Sequence, residues 1–156
     1  MSSDPVPTYE YATYLRATPE QVWNALTDSG ATARFWGHAN VSDWRPGSAW
    51  EHRRTDGSGT VDATGHVLAA EPPKRLTLTF EDRPDLFADD AATVTFLIEP
   101  YRDIVRLTVT HEKLRDRAAL EAVSHGWPAV LANLKSLLET GEPLPQDPWE
   151  MPPAGR

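Results

Sequence analysis

Five histidines and no cysteine set the range of chemistry open to this chain. Without thiols there is no disulfide, no thiolate zinc site and no cysteine nucleophile. His38, His52 and His66 are separated by fourteen residues each, an even spacing that invites a three-histidine metal site. Such a site needs all three rings to converge on one point. In strands the side chains alternate between faces. If His52 points inward, His66 falls on the outer row with Asp62 and Thr64, because Val61, Ala63, Gly65 and Val67 make up the other row. The spacing therefore reads as hairpin length, and no metal or other cofactor is expected. His111 is a stronger candidate. It ends the alternating row Val105, Leu107, Val109, so its imidazole stands at the rim of whatever that row covers. There it can donate to a ligand, act as a base or bond a carbonyl. His125, beside Gly126 and Trp127, reads as structural or solvent-facing.

Catalytic signatures are thin. The chain has no GxSxG elbow, HExxH pair, Walker loop or dinucleotide fingerprint. An enzyme would need a buried acid or base of shifted pKa, and His111, or His52 with Arg54, are the only residues that could supply one. Asp82, Asp85, Asp89 and Asp90 read as solvated loop charge. A net charge of −8 opposes binding to nucleic acid or anionic membrane. No apolar run approaches the roughly 18 residues of a membrane span. The first residues lack the basic and apolar regions of a signal peptide. The Asn40-Val41-Ser42 sequon has no secretory context beside it, and a cytoplasmic protein is expected.

The elements that must position these residues follow from periodicity. Tyr9 to Ala17 has strand character, with Tyr9, Tyr11, Thr13 and Leu15 on one face. Thr18-Pro19-Glu20-Gln21 is a capping box with proline at the first helical position, so a short helix runs to about Asp28. "ATARFWG" adds a second short helix closed by Gly37. Strands follow at 38–44, 48–55, 60–70 and 75–82, punctuated by "RPGS", "TDGSG" and "EPPK". Ala92–Glu99 and Ile104–His111 alternate cleanly, which implies an antiparallel sheet covered on one side. Finally Trp127, Val130, Leu131, Leu134, Leu137 and Leu138 share one helical face, leaving Asn133, Lys135, Ser136 and Glu139 for the others. Burying those six apolar side chains is worth on the order of 10 kcal/mol before entropy is subtracted. Pro128, next to Gly126, predicts a kink or a fresh helical start there. Residues 1–8 and 142–156 read as irregular tails around a domain at 9–141, with Trp149 and Met151 available to pin the second tail. A meander that curls leaves one concave apolar face, and the last helix is the element able to cover it.

In that order the chain resembles the helix-grip fold of the START/Bet v 1-like (SRPBCC) superfamily, and within it the domain family related to the activator of Hsp90 ATPase. The residues that carry the likeness are "TPEQVWNALTD", "FWG", "WRPGSAWEHR", "TGHVLAAEPPKRLTLTFED", "VTFLIEP", "LTVTHEKL" and "GWPAVLANLKSLLETGEPLP". Ser48 departs from the pattern, since many relatives carry a second glycine after Gly47; the change affects a turn. The resemblance implies an α+β fold in which a curved antiparallel sheet of about seven strands wraps a long C-terminal helix, with a cavity between them. Superfamily members bind lipids, sterols and aromatic small molecules, and some cyclise polyketides. The eukaryotic activators carry a separate Hsp90-binding region, and a chain of this length is not expected to have room for one.

Alternation on that fold makes Trp36, Trp50, His52, Phe80, Phe96, His111, Trp127 and Leu131 the expected lining of a mostly apolar small-molecule site. Arg54 is expected to face inward with Trp50 and His52. The function this implies is a non-catalytic module for a hydrophobic small molecule. The alternatives are a protein-interaction module, such as a chaperone cofactor, and a cyclase- or hydrolase-type enzyme using a cavity histidine. A monomer or a homodimer fits either case.

Overall fold

The computed structural model describes residues 7–81 and 91–152. The acidic loop residues Asp82, Asp85, Asp89 and Asp90 lie outside the described residues, as do 1–6 and 153–156. A capping box opens the first helix. Thr18 Oγ1 accepts from the Gln21 amide and Gln21 Oε1 accepts from the Thr18 amide, which starts α1 (Pro19–Thr27). Asp28 caps α2 (Ser29–Trp36) through the Ala31 amide. Gly37 ends α2 at φ 76°, a left-handed conformation that glycine adopts without strain.

Before these helices lies β1 (Tyr9–Leu15). After them come β2 (His38–Ser42), β3 (Ala49–Arg54), β4 (Val61–Glu71), β5 (Arg75–Phe80), β6 (Ala92–Tyr101) and β7 (Ile104–Glu112). All pairings are antiparallel. The seven-stranded sheet has the order β1-β7-β6-β5-β4-β3-β2, a meander with β1 added beside the last strand. This is the helix-grip fold. The inward rows are the expected ones: Val94, Phe96 and Ile98 from β6, and Val105, Leu107, Val109 and His111 from β7, are buried. Against them lies α3 (Arg117–Thr140), whose Trp127, Val130, Leu131, Leu134 and Leu137 are buried while Leu138 is partly so. No helix among the described residues is long and apolar enough to cross a membrane.

The structure refines three expectations. Of the two outcomes expected at Pro128, α3 does not begin afresh there. It is assigned without interruption from Arg117, because Asp116 Oδ1 caps the Ala119 amide at 2.8 Å and "RAALEA" is a strong helix former. The bond that Pro128 cannot donate is outweighed by the buried face that follows it. Arg54 lies on the face of His52, opposite His38 in the regular β2–β3 register, yet it is exposed, because it stands at the open end of the sheet where β4 carries one extra residue, Asp62. Asn133, placed off the apolar face, is nonetheless only 2% exposed. Its Oδ1 accepts from the Leu144 amide (2.8 Å) and its Nδ2 donates to the Gln146 carbonyl (3.2 Å). That clamp returns the chain after α3 to the body, where it forms a 3₁₀ turn at Pro148–Glu150.

Candidate functional site

The site is assembled from four strands and two helices. Trp36 ends α2; Trp50 and His52 sit two apart on β3; Phe80 ends β5; Phe96 and His111 lie on β6 and β7; Trp127 and Leu131 come from α3. The structure brings the seven rings of this set into one cluster. Trp36 meets His52 at 5.0 Å and Trp127 at 5.2 Å between ring centroids. Phe80 meets Trp50 at 5.1 Å, His52 at 5.8 Å and His111 at 6.0 Å. Trp127 then closes the ring through Phe96 at 5.7 Å and His111 at 6.0 Å. Most of these contacts are edge-on or tilted, the geometry the ring quadrupoles prefer. Leu131 is fully buried in the adjoining aliphatic core.

Each buried polar group in the cluster has a partner that fixes its state. Trp127 Nε1–H donates to His111 Nδ1 at 3.1 Å. Because the indole can only donate, that nitrogen is bare and the neutral ring carries its proton on Nε2. His52 is the reverse case: its Nδ1 meets the Asn40 Oδ1 acceptor at 2.5 Å, so Nδ1 holds the proton and Nε2 is the bare nitrogen. Among the described residues neither Nε2 has a hydrogen-bond partner. Burial pushes the His111 pKa down to about 4. Burial, and then the neighbouring His38 ring, push His52 down to about 3. Both imidazoles are therefore neutral at physiological pH, and the cluster is an aromatic interior offering one donor and one acceptor.

Trp50 Nε1–H donates to the Thr79 carbonyl at 2.7 Å. To do so the indole crosses over Gly65, its register partner on β4. A Cβ on Gly65 would collide with the Thr79 carbonyl oxygen and lie 2.6 Å from Trp50 Nε1. Glycine is needed there for close approach.

Beside this interior lies a pocket of about 260 Å³ lined by Gly37, His38, Arg54, Thr55, Asp56, Asp62 and Trp149. It shares none of its lining with the eight residues expected from sequence. Its wall toward the interior is His38, whose ring stacks on His52 at 4.0 Å and 8°. His38 Nε2 lies 2.8 Å from Asp62 Oδ2, and Arg54 Nε donates to both Asp62 oxygens at 2.9 and 3.0 Å. Arg54 first and His38 second hold the Asp62 carboxyl down to about 2. Thus His38 and His52 do converge, while His66 is exposed on the outer row. Among the described residues no group of three or more His, Cys, Asp or Glu could hold a metal ion.

Sequence reasoning missed Asn40 and the Asp62–His38–Arg54 group. The signal was present in the hairpin register. "RPGS" pairs Ser42 with Trp50, which puts Asn40 opposite His52 and His38 opposite Arg54.

The model of the family described as Activator of Hsp90 ATPase homolog 1-like protein matches residues 16–139. No curated protein sequence matches significantly. The solution structure of the protein encoded by gene BPP1335 from Bordetella parapertussis is similar at 27% identity and TM-score 0.71, over 93% of this chain and 81% of that one. The crystal structure of CalU16 from Micromonospora echinospora is similar at 25% identity and TM-score 0.70, over 88% of this chain and 77% of that one. This chain spans 65% of CalU16 as solved in solution. PFC0360w, an HSP90 activator from Plasmodium falciparum, is 22% identical with TM-score 0.68, over 84% of this chain and 95% of that one, and at that identity shares the fold.

Proposed function

This chain belongs to the Activator of Hsp90 ATPase homolog 1-like family, and from that membership we propose that it is a non-catalytic module binding an apolar or aromatic small molecule between the sheet and α3. The observation that carries the reading is the cluster of seven rings in which two neutral imidazoles each leave Nε2 without a partner among the described residues. An aromatic guest with one hydroxyl or amide group matches such a surface, since rings supply contact area and a few polar groups fix orientation. Trp36 and Phe80, the half-buried members, are the rings that move to admit it. Turnover is not part of the proposal. Groups with pKa near 3 and 4 are far from the operating pH at which a general base is effective.

Native mass spectrometry of protein purified gently from its own host, followed by solvent extraction, tests this directly. A stoichiometric small molecule that is retained by the wild-type protein and lost from Trp127→Ala supports the module. A guest retained equally by both proteins places it elsewhere and ends this reading, as does a protein that stays empty when offered aromatic probes.

A second reading, a chaperone cofactor, draws on the family description and on the similarity to PFC0360w. Trp149, 61% exposed beside the pocket, is the side chain it would use first. A pull-down with and without Trp149→Ala discriminates it from the first reading.

A further inference from the structure

Two neighbours hold the two imidazoles of the ring cluster in opposite tautomers. Asn40 Oδ1 meets His52 Nδ1 at 2.5 Å. An amide oxygen only accepts, so Nδ1 keeps the proton and Nε2 is a lone pair. Trp127 Nε1–H donates to His111 Nδ1 at 3.1 Å. An indole only donates, so here Nδ1 is the lone pair and Nε2 keeps the proton. Both holders are themselves anchored. The Asn40 backbone amide donates to Thr32 Oγ1 at 2.8 Å, and the fully buried Thr32 donates in turn to the Ser29 carbonyl at 3.2 Å. Trp127 is buried between Trp36 and Phe96. The two rings stay neutral, so neither escapes its tautomer by taking a second proton.

Among the described residues Phe80 is the ring that meets both histidines, at 5.8 Å from His52 and 6.0 Å from His111. It is half-buried. A phenyl ring cannot donate a proton to His52 Nε2, and it offers no lone pair to His111 Nε2–H. The histidines themselves are 6% and 4% exposed. The enclosed side-chain atom without a partner among the described residues is His38 Nδ1. The two Nε2 atoms, unpartnered there as well, are not sealed in that way and stay within reach of a small molecule. The cluster thus keeps one unmatched acceptor and one unmatched donor, each unfavourable in apolar surroundings until it is met.

Resting on the interior as the guest site, we propose that the guest's polar group is a neutral phenolic hydroxyl, that its ring takes the place of Phe80, and that Asn40 and Trp127 are the positioning residues that set this preference. A hydroxyl is the smallest neutral group that both donates and accepts. Its O–H serves His52 Nε2 and its oxygen serves His111 Nε2–H. A carboxylate has nothing to donate to His52, an ammonium group accepts nothing from His111, and either would bring an unpaired charge into the rings. An ether satisfies His111 alone.

The test begins with long-range ¹H–¹⁵N spectra of the whole wild-type chain, which report the protonated nitrogen of each imidazole. The expected result is Nδ1–H in His52 and Nε2–H in His111; any other pairing overturns the proposal. The same resonances then follow titrations with phenol, anisole and toluene. Phenol should bind more tightly than anisole and shift both Nε2 atoms. Asn40→Ala leaves His52 free to protonate Nε2, and should lower the phenol-to-anisole affinity ratio roughly two- to tenfold. Phe80→Ala should tighten phenol severalfold, as a vacated apolar site does for a ring of the same size. Anisole or toluene binding as tightly as phenol in the wild-type protein, with Trp127 Nε1 shifted, overturns the hydroxyl and leaves the interior as a guest site. A ratio unchanged in a folded Asn40→Ala overturns the role of Asn40, and no gain in Phe80→Ala overturns the placement. Binding of none of the three probes to either the wild-type protein or Phe80→Ala overturns the interior reading itself. Should Asn40→Ala fail to fold, the wild-type tautomers and the phenol–anisole comparison decide.

Discussion

Two histidine rings stacked at 4.0 Å divide the molecule into a dry side and a wet side. His52 bonds a neutral amide, Asn40, and sits among rings. His38 bonds a carboxylate that an arginine also holds, at the edge of an open pocket. The residue type is the same and the strands are neighbours, yet the interior removes charge while the rim organises it. The partner and the access of water decide what an imidazole can do, and its place in the sequence pattern does not.

The dry side breaks first at its centre. Trp127→Ala removes the ring that joins Trp36, Phe96 and His111, and should cost about 3–5 kcal/mol in urea unfolding. Trp127→Phe keeps most of the ring and should lose only about 1 kcal/mol with the bond to His111. Next comes acid, which separates the two sides by pH window. His111 and His52 have folded pKa values of about 4 and about 3, below the ordinary 6.5, so between these limits the unfolded chain binds more protons. Stability should therefore fall as the pH drops from about 6.5 toward 4, and His111→Gln should flatten that leg by on the order of 3 kcal/mol. Asp62, held to about 2 against an ordinary 3.8, contributes stability above the latter value that is lost as pH falls toward the former. Asp62→Asn should erase that lower leg and leave the upper one. If both variants flatten the same window, the division is wrong.

Gly65→Ala forces a Cβ into the Thr79 carbonyl and should cost about 2–3 kcal/mol with loss of the Trp50 bond. The smallest effect is expected from Asn133→Ala. Removing both tail bonds should cost about 1–2 kcal/mol, and hydrogen exchange at the Leu144 amide should rise well before global unfolding.

Much of the interior is legible in the sequence because a strand alternates and a helix repeats. Val94-Phe96-Ile98, Val105-Leu107-Val109-His111 and Trp127-Leu131-Leu134 name their buried faces with no other information. The rim is not legible in this way. Alternation puts Arg54 on the face of His52, and the extra residue on β4, Asp62, holds its guanidinium at the open end of the sheet. Helical spacing puts Asn133 off the apolar face, and a tail with little regular structure claims both ends of its amide. Trp149 lies beyond Leu137, the last buried position of α3, and outside any helical or strand period. Only its aromatic character hints that it docks.

The sequence by itself determined the order of elements and the faces they bury, because these depend on local periodicity and on capping and turn chemistry that act over a few residues, and its resemblance to a family implied the helix-grip architecture on which the inward rings were placed. Tertiary structure alone decided the protonation states of His52 and His111, the pairing of Asp62 with His38 and Arg54, and the seat of Trp149 on Gly37. Those depend on which groups from distant parts of the chain exclude water from one another, and that is a property of three-dimensional contact, which no spacing along the chain records.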